Sequence, residues 1–275
     1  MKKIIIVSDW SPDALSRQEV RSAIGGFVQS PENLYISYVH SSPSSIQMGY
    51  LLNQIVETEE RLGSPLNTVI FQSSDPRLFS DQPLVEGAAG ATSLIMRLKS
   101  GLYIIGANSK HNFSFIKPKI EELYTYAADT VKSQFRARDY YPRLVAFLAD
   151  TLQDDLDLEE IDSSCIEELT ESYIGHIDNY GNLKTTLTHD DLRGKVEYGE
   201  TVEVSINGIK KQAYFVSNLF GGKRGQVVIY PGSSGPQNNP FLEISIWRHF
   251  NEEDTSTGIH IFNNPKPGDK VELVF

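Results

Sequence analysis

Gly175-His176-Ile177-Asp178-Asn179-Tyr180-Gly181-Asn182-Leu183-Lys184-Thr185-Thr186 is the stretch from which the rest of the chain can be read. His176 and Ile177 end one extended segment, and Leu183 and Thr185 enter another. Tyr180-Gly181-Asn182 bends the chain between them, because glycine reaches a positive φ at no steric cost. The spacing predicts strand, tight turn, strand, with the Asp178 carboxylate and the Asn182 amide brought together at one sheet edge. A carboxylate beside an amide can recognise an ammonium group and a purine edge. The same pair can instead satisfy its own backbone in an ordinary hairpin, and spacing alone favours that plainer arrangement.

Downstream of this bend there is no long helical pattern. Short alternating runs at 202–206, 212–216, 226–230, 242–247 and 270–274, separated by Gly and Pro turns, predict a small all-β, barrel-like domain over 173–275. Within it, the Ser233 hydroxyl and nearby backbone N–H groups of Tyr230-Pro231-Gly232-Ser233-Ser234-Gly235 could cradle a carboxylate, or form a turn with no ligand. Phe220 could offer an aromatic face to a base, with a core role the stronger reading.

Upstream the pattern changes. Ile4-Ile5-Ile6-Val7 is a continuous β-branched run, the mark of a strand covered on both faces in a parallel sheet. The polar loop Ser8 to Asp13 follows at the carboxyl end of that strand, where open α/β sheets bind ligands. Asp9 and Asp13 could accept hydrogen bonds from ribose hydroxyls or cap the helix beginning near Ala14. Helices are predicted at 18–28, 46–62, 120–131 and 144–152, and strands at 33–39, 68–71, 93–98 and 103–105. His40, after the second strand, reads as structural. Residues 1–153 thus form an α/β domain with a mainly parallel sheet and flanking helices, and the acidic stretch 154–172 reads as a linker.

At 275 residues the chain suits two compact domains, and 40% hydrophobic with 22% charged residues is an ordinary globular composition. A net charge of −11 argues against a nucleic-acid partner and is compatible with a small cationic ligand. The sequence shows no signal peptide and no membrane-length apolar run, and the single cysteine, Cys165, suits a reducing cytoplasm. P-loop, dinucleotide-binding, metal-ligand and nucleophile-elbow motifs are missing, so no metal and no cofactor are expected.

Asp178-Asn179-Tyr180-Gly181-Asn182 with Thr185 resembles the Asp-x-Phe-Gly-Asn-x-x-Thr-Asn signature of the S-adenosylmethionine hydroxide adenosyltransferase family, with Thr186 at the second Asn. That family shares its fold with the fluorinases and chlorinases. The resemblance implies ribose binding by Asp9, with Asp13 a looser match. It implies contacts to the amino-acid end of the substrate from Ser233 and Ser234, in a loop similar to the family's Tyr-x-Asn-Ser-Ser-Gly. Asp75-Pro76 sits where the family has an Asp credited with activating water, but Arg77-Leu78 replace its glycines and 81–90 offers no counterpart to its arginine. Asn108 survives from the family's Pro-Asp-Asn-Gly while the Asp is Ala107. Phe135-Arg136-Ala137-Arg138-Asp139 faces the family's Phe-His-Gly-Arg-Asp, putting Arg136 in place of a catalytic histidine and leaving Arg138 and Asp139 as an ion pair.

The implied activity is a divergent S-adenosyl-L-methionine (SAM) hydrolase. Water would displace methionine at the ribose C5′ to leave adenosine, with Asp75 and Arg136 at the catalytic positions. The alternatives are a catalytically impaired SAM or adenosine binder, or adenosyl transfer to another anion. SAM would be substrate or ligand, with no further cofactor. The resemblance also implies a homotrimer with sites shared between subunits.

Overall fold

The structure, a computed structural model, describes residues 1–74, 92–126, 133–248 and 256–275. By its internal contacts the chain divides into residues 1–168 and 169–275.

The first unit runs β1 (Lys2–Ser8), α1 (Ala14–Phe27), β2 (Leu34–His40), α2 (Ser45–Leu62), β3 (Thr68–Ser73), β4 (Ser93–Leu98), β5 (Tyr103–Ala107), β6 (Ile120–Tyr126), α3 (Arg136–Asp139), α4 (Tyr141–Ala149) and β7 (Leu158–Glu160). Its sheet has the order β2-β1-β3-β5-β4-β6-β7, parallel from β2 to β5 and antiparallel beyond. The apolar run of β1 is explained by its alternation. Ile4 and Ile6 pack with Val20, Ile24, Leu144 and Val145 of α1 and α4, whereas Ile5 and Val7 pack with Met48, Leu52 and Val56 of α2. Each such side chain, fully buried, stabilises the fold by about 1.5–3 kcal/mol. The parallel strands thus carry helices on both faces and end together at one edge, β1 at Ser8, β3 at Ser73 and β5 at Ala107.

Two expectations are corrected here. Residues 120–126, expected to begin a helix, form β6 between β4 and β7; residues 127–132 lie outside the described residues. Ile120, Leu123 and Tyr124 mimic helical spacing, but the register against β4 and a two-pronged Arg97–Glu122 pair (2.9 and 2.7 Å) hold the segment extended. The stretch 154–172, expected to be a linker, is largely folded into the first unit. Its β7 pairs with β6, and Leu156 and Ile166 are buried in the two cores flanking the sheet. The acidic side chains face out while these few apolar ones anchor it.

The described residues of the second unit are mainly β: β8 (Ile174–Ile177), β9 (Leu183–Thr188), β10 (Thr201–Ile206), β11 (Ile209–Phe215), β12 (Val227–Pro231), β13 (Phe241–Ile246), a short α5 (Gly258–Ile261) and β14 (Val271–Val274). The sheet order is β14-β10-β11-β12-β13-β9-β8. Its two ends are stitched together by backbone bonds of 2.8 Å from Ile174 N–H to the Asp269 carbonyl, Gly268 N–H to Ile174, and Val271 N–H to Ser172. This curls the sheet around one core that includes Leu183, Val204, Phe215, Ile244 and Phe262. The molecule is therefore an α/β domain with a mixed sheet, parallel from β2 to β5, plus a smaller barrel-like β domain. Among the described residues no helix is long and apolar enough to cross a membrane.

Candidate functional site

In the first unit a cavity of about 320 Å³ opens where the parallel strands end. Asp9 and Trp10 reach it from the loop after β1, Gln72 to Ser74 from β3, and Ala107 and Ser109 from β5. Phe135, just before α3, joins Arg136 of α3 and Tyr141 of α4. Trp10 is fixed by a 3.0 Å hydrogen bond from its Nε1 to Ser73 Oγ and by edge-on packing against Tyr38 and Phe135. The Arg136 guanidinium donates to Ser93 Oγ at 2.8 Å and lies 4.9 Å and 5.4 Å from the ring centres of Tyr140 and Tyr141. Ser93 Oγ is itself 2.9 Å from the Tyr141 hydroxyl. Arg136 is therefore a fixed cation in the wall, and a guanidinium does not act as a base in proteins.

Asp9 lies in this wall. Asp13 does not: it caps α1, with its carboxylate accepting from the N–H groups of Leu15 and Ser16 at 3.3 and 2.9 Å and from the Ser16 hydroxyl at 2.5 Å. Those bonds hold its carboxyl below the usual range. Of the two roles open to Asp13, the structure supplies the cap. Asn108 turns away from the cavity and donates from Nδ2 to the Cys165 carbonyl at 2.9 Å. Asp75 and the 81–90 segment lie outside the described residues. Arg138 and Asp139 form the expected ion pair, 2.6 Å apart, which lowers the Asp139 carboxyl to about 2.

The second unit carries its own cavity of about 240 Å³, lined by Tyr180, Asn182, Leu219, Phe220, Ser245, Trp247 and Thr257 among others. The Asp178–Asn182 bend builds one wall. Asp178 accepts from Tyr180 N–H at 2.9 Å, Asn182 N–H at 3.0 Å and Asn182 Nδ2 at 2.9 Å, while Asn182 Oδ1 accepts from the Ser245 hydroxyl. The pair meets as the spacing predicts, yet Asp178 spends its oxygens on Asn182 and the backbone, and Asn182 is held by Asp178 and Ser245. Asn182 presents a fixed edge to the cavity, and Asp178 lies behind it. Phe220, for which a core role is the stronger sequence reading, is 68% exposed and meets Trp247 edge-on at 5.2 Å. Its ring forms cavity wall rather than core. Trp247 and Tyr180 went unassigned from sequence; an aromatic at the end of an alternating strand and another at the tip of a bend were the available signals.

Ser233 and Ser234 do not line this cavity. The Ser233 N–H (2.9 Å), its hydroxyl (3.2 Å), the Tyr230 hydroxyl (3.1 Å) and Lys184 Nζ (2.5 Å) all donate to the buried Glu243 carboxylate. The turn thus cradles a carboxylate, as its composition suggested, but one supplied by β13. Burial and this neighbouring charge push the Tyr230 phenol far up. Ser234 is buried, with its carbonyl accepting from Phe241 N–H at 2.8 Å. Among the described residues no group of three or more His, Cys, Asp or Glu is gathered as a metal site needs.

Comparison with known proteins matches residues 172–249 to the SAM hydroxide adenosyltransferase C-terminal domain. An (R)-S-adenosyl-L-methionine hydrolase of Methanocaldococcus jannaschii is 29% identical over 162 residues, covering 56% of this chain and 57% of that one. The chain therefore spans a little over half the length of that relative. Two solved structures share the fold. An uncharacterized conserved protein from Thermotoga maritima aligns over 99% of this chain and 100% of its own, with a TM-score of 0.72 at 16% identity. A conserved hypothetical protein from Thermus thermophilus aligns over 100% of both chains, with a TM-score of 0.64 at 15% identity.

Proposed function

We propose, for a chain whose C-terminal domain belongs to the SAM hydroxide adenosyltransferase family, that it binds SAM and hydrolyses it to adenosine and methionine. The observation that carries the reading is the cavity of the second unit. It combines the aromatic walls of Tyr180, Phe220 and Trp247 with the fixed Asn182 edge. At about 240 Å³ it is smaller than the roughly 300–1,000 Å³ of drug-sized sites, which suits a heterocycle rather than a whole nucleoside with its amino-acid arm. The ribose and the sulfonium centre then fall to the other cavity, where Asp9 accepts from the sugar hydroxyls. This assignment goes with a homotrimer in which the two sets of residues come from neighbouring subunits, one heterologous contact repeating around a ring.

The chemistry asks little of acid catalysis, because a sulfonium releases methionine as a neutral thioether. It requires a water held in line with the C5′–S bond and shielded from bulk solvent. In the forward step the water oxygen bonds to C5′, the C5′–S electron pair stays on sulfur, and a proton leaves the attacking water. Asp75 is the proposed acceptor for that proton. Trp10 and Phe135 exclude solvent, and Arg136 stabilises negative charge on the nucleophile.

One observation favours a second reading, binding with little or no turnover: Arg136, at the position where the resemblance leads one to expect a base, is held by Ser93 and two tyrosine rings. The same cation makes adenosyl transfer to an anion other than hydroxide a third outcome. Calorimetry with adenosine and with both sulfonium epimers of SAM tests the common ground. Micromolar binding, about −8 kcal/mol, is expected; no heat with any of them at millimolar concentration contradicts all three readings.

A further inference from the structure

Two amide side chains beneath the cavity of the first unit have no part in the chemistry above. Gln72, on β3, and Asn112, in the turn after β5, are both fully buried. Asn112 Nδ2 donates to Gln72 Oε1 at 3.1 Å and to the Ala107 carbonyl at 2.6 Å, while its Oδ1 accepts from Ser109 N–H at 3.0 Å. Gln72 Nε2 in turn donates to Ser74 Oγ at 3.2 Å. Gln72, Ser74, Ala107 and Ser109 all line the cavity. The chain leaving β3 and the chain leaving β5 are thus tied together by one continuous string of hydrogen bonds.

The tie is built at a cost that packing alone does not require. Burying two amides among apolar neighbours is unfavourable unless their polar atoms are paired, and an apolar pair of similar shape would be about as stable. A paired network instead fixes one geometry. The neighbouring strand is cut to fit: Gly106 lies opposite Gln72 in the register, and a Cβ there would collide with the Gln72 carbonyl and Oε1.

We propose that Gln72 and Asn112 are positioning residues, a buried amide brace that holds Ser74 and Ser109 in the cavity wall at the spacing the bound sugar requires. The proposal rests on the reading that this cavity takes the ribose of adenosine.

Three variants of the full chain test it: Gln72→Leu, which cuts the string at both ends, Gln72→Glu, and Gly106→Ala. A glutamate, ionised or protonated, still accepts from Asn112 and still bonds the rotatable Ser74 hydroxyl, so it is the conservative replacement. Affinity for adenosine is measured by calorimetry, Ser109 amide hydrogen exchange by NMR, and the melting temperature serves as the folding control. Gln72→Leu and Gly106→Ala are expected to weaken adenosine binding about tenfold, the worth of roughly one hydrogen bond between ligand and wall. Both should speed Ser109 exchange. Gln72→Glu should stay within about threefold of the unmodified chain because its hydrogen bonds are kept, a rescue that the loss of mere bulk stability would not produce. Folded Gln72→Leu that binds adenosine as well as the unmodified chain overturns the proposal, as does Gln72→Glu failing as badly as Gln72→Leu. Should Gln72→Leu not fold, Gly106→Ala against Gln72→Glu makes the same comparison. If the unmodified chain binds no adenosine, the functional reading falls first, and unchanged Ser109 exchange in Gly106→Ala then removes the brace as well.

Discussion

Gly181 takes a φ of 76°, and a methyl group on it would collide with Thr257 Oγ1. Left-handed backbone costs other residues about 1–2 kcal/mol, so Gly181→Ala should lose at least that in urea denaturation. Because Thr257 lines the cavity, the same variant should also bind adenosine more weakly. Lys184 and Glu243 raise a different question at the same scale. Their carboxylate is nearly sealed from solvent, at 5% exposure against 14% for the lysine. Removing one partner of such a pair strands the other, so Lys184→Met is expected to destabilise the second unit by about 3–5 kcal/mol in the same measurement. His176 is half-buried, and burial followed by the nearby Lys184 charge lowers its pKa from 6.5, against smaller opposing effects of Asp178 and Glu243. The unfolded chain therefore binds this proton more readily than the folded one. Stability from His176 is complete above pH 6.5 and drains away as the pH falls through the depressed folded value. His176→Gln should flatten the fall in melting temperature below that pH; an unchanged slope would locate the effect elsewhere. Single residues also mark how far sequence carries. The Asp178–Asn182 meeting was legible because a glycine bend fixes it locally. That the Asn182 amide is then held on both sides was not, because the Ser245 hydroxyl arrives from a strand more than sixty residues away.

Elements were legible where their pattern was local and illegible where partners decide. The alternation of Ile4 to Val7 between two helix layers announces β1 unaided. Residues 120–126 satisfy helical and extended spacing alike, and the choice is made by β4 through its register and Arg97. Acidity made 154–172 look like a linker, because sequence shows the many exposed carboxylates more plainly than the few apolar anchors between them. Leu156 and Ile166 belong to opposite cores of the first unit, and β7 lies beside β6. A fragment ending at residue 168 should therefore unfold cooperatively, whereas one ending at 153 should lose the transition or aggregate. Thermal scans by circular dichroism distinguish the two, and equal cooperativity would show that the acidic stretch contributes nothing to that unit.

At the scale of the whole molecule, the likeness to solved structures extends over essentially the entire chain, while the family match is concentrated in the second unit. The fold was legible in the strand patterns of both halves. The reaction was less so, because Arg136 and Ala107 replace residues that the resemblance leads one to expect. If the two cavities serve one ligand between neighbouring subunits, Asp9→Ala and Asn182→Ala should each abolish adenosine binding alone. Subunits of the two, unfolded together and reassembled, should recover a fraction of intact sites; normal trimers that bind no better than either parent would place both halves in one subunit. If the chain hydrolyses SAM, Arg136 at the position where the resemblance leads one to expect a histidine base should slow turnover by about 10²–10⁴-fold relative to a protein that keeps one. The most direct measurement is a long incubation of the intact protein with SAM, followed by chromatography for adenosine and methionine. Equal amounts of the two, rising with protein concentration above the spontaneous background, are predicted. SAM recovered unchanged, with no adenosine beyond the protein-free control, would contradict hydrolysis by this chain.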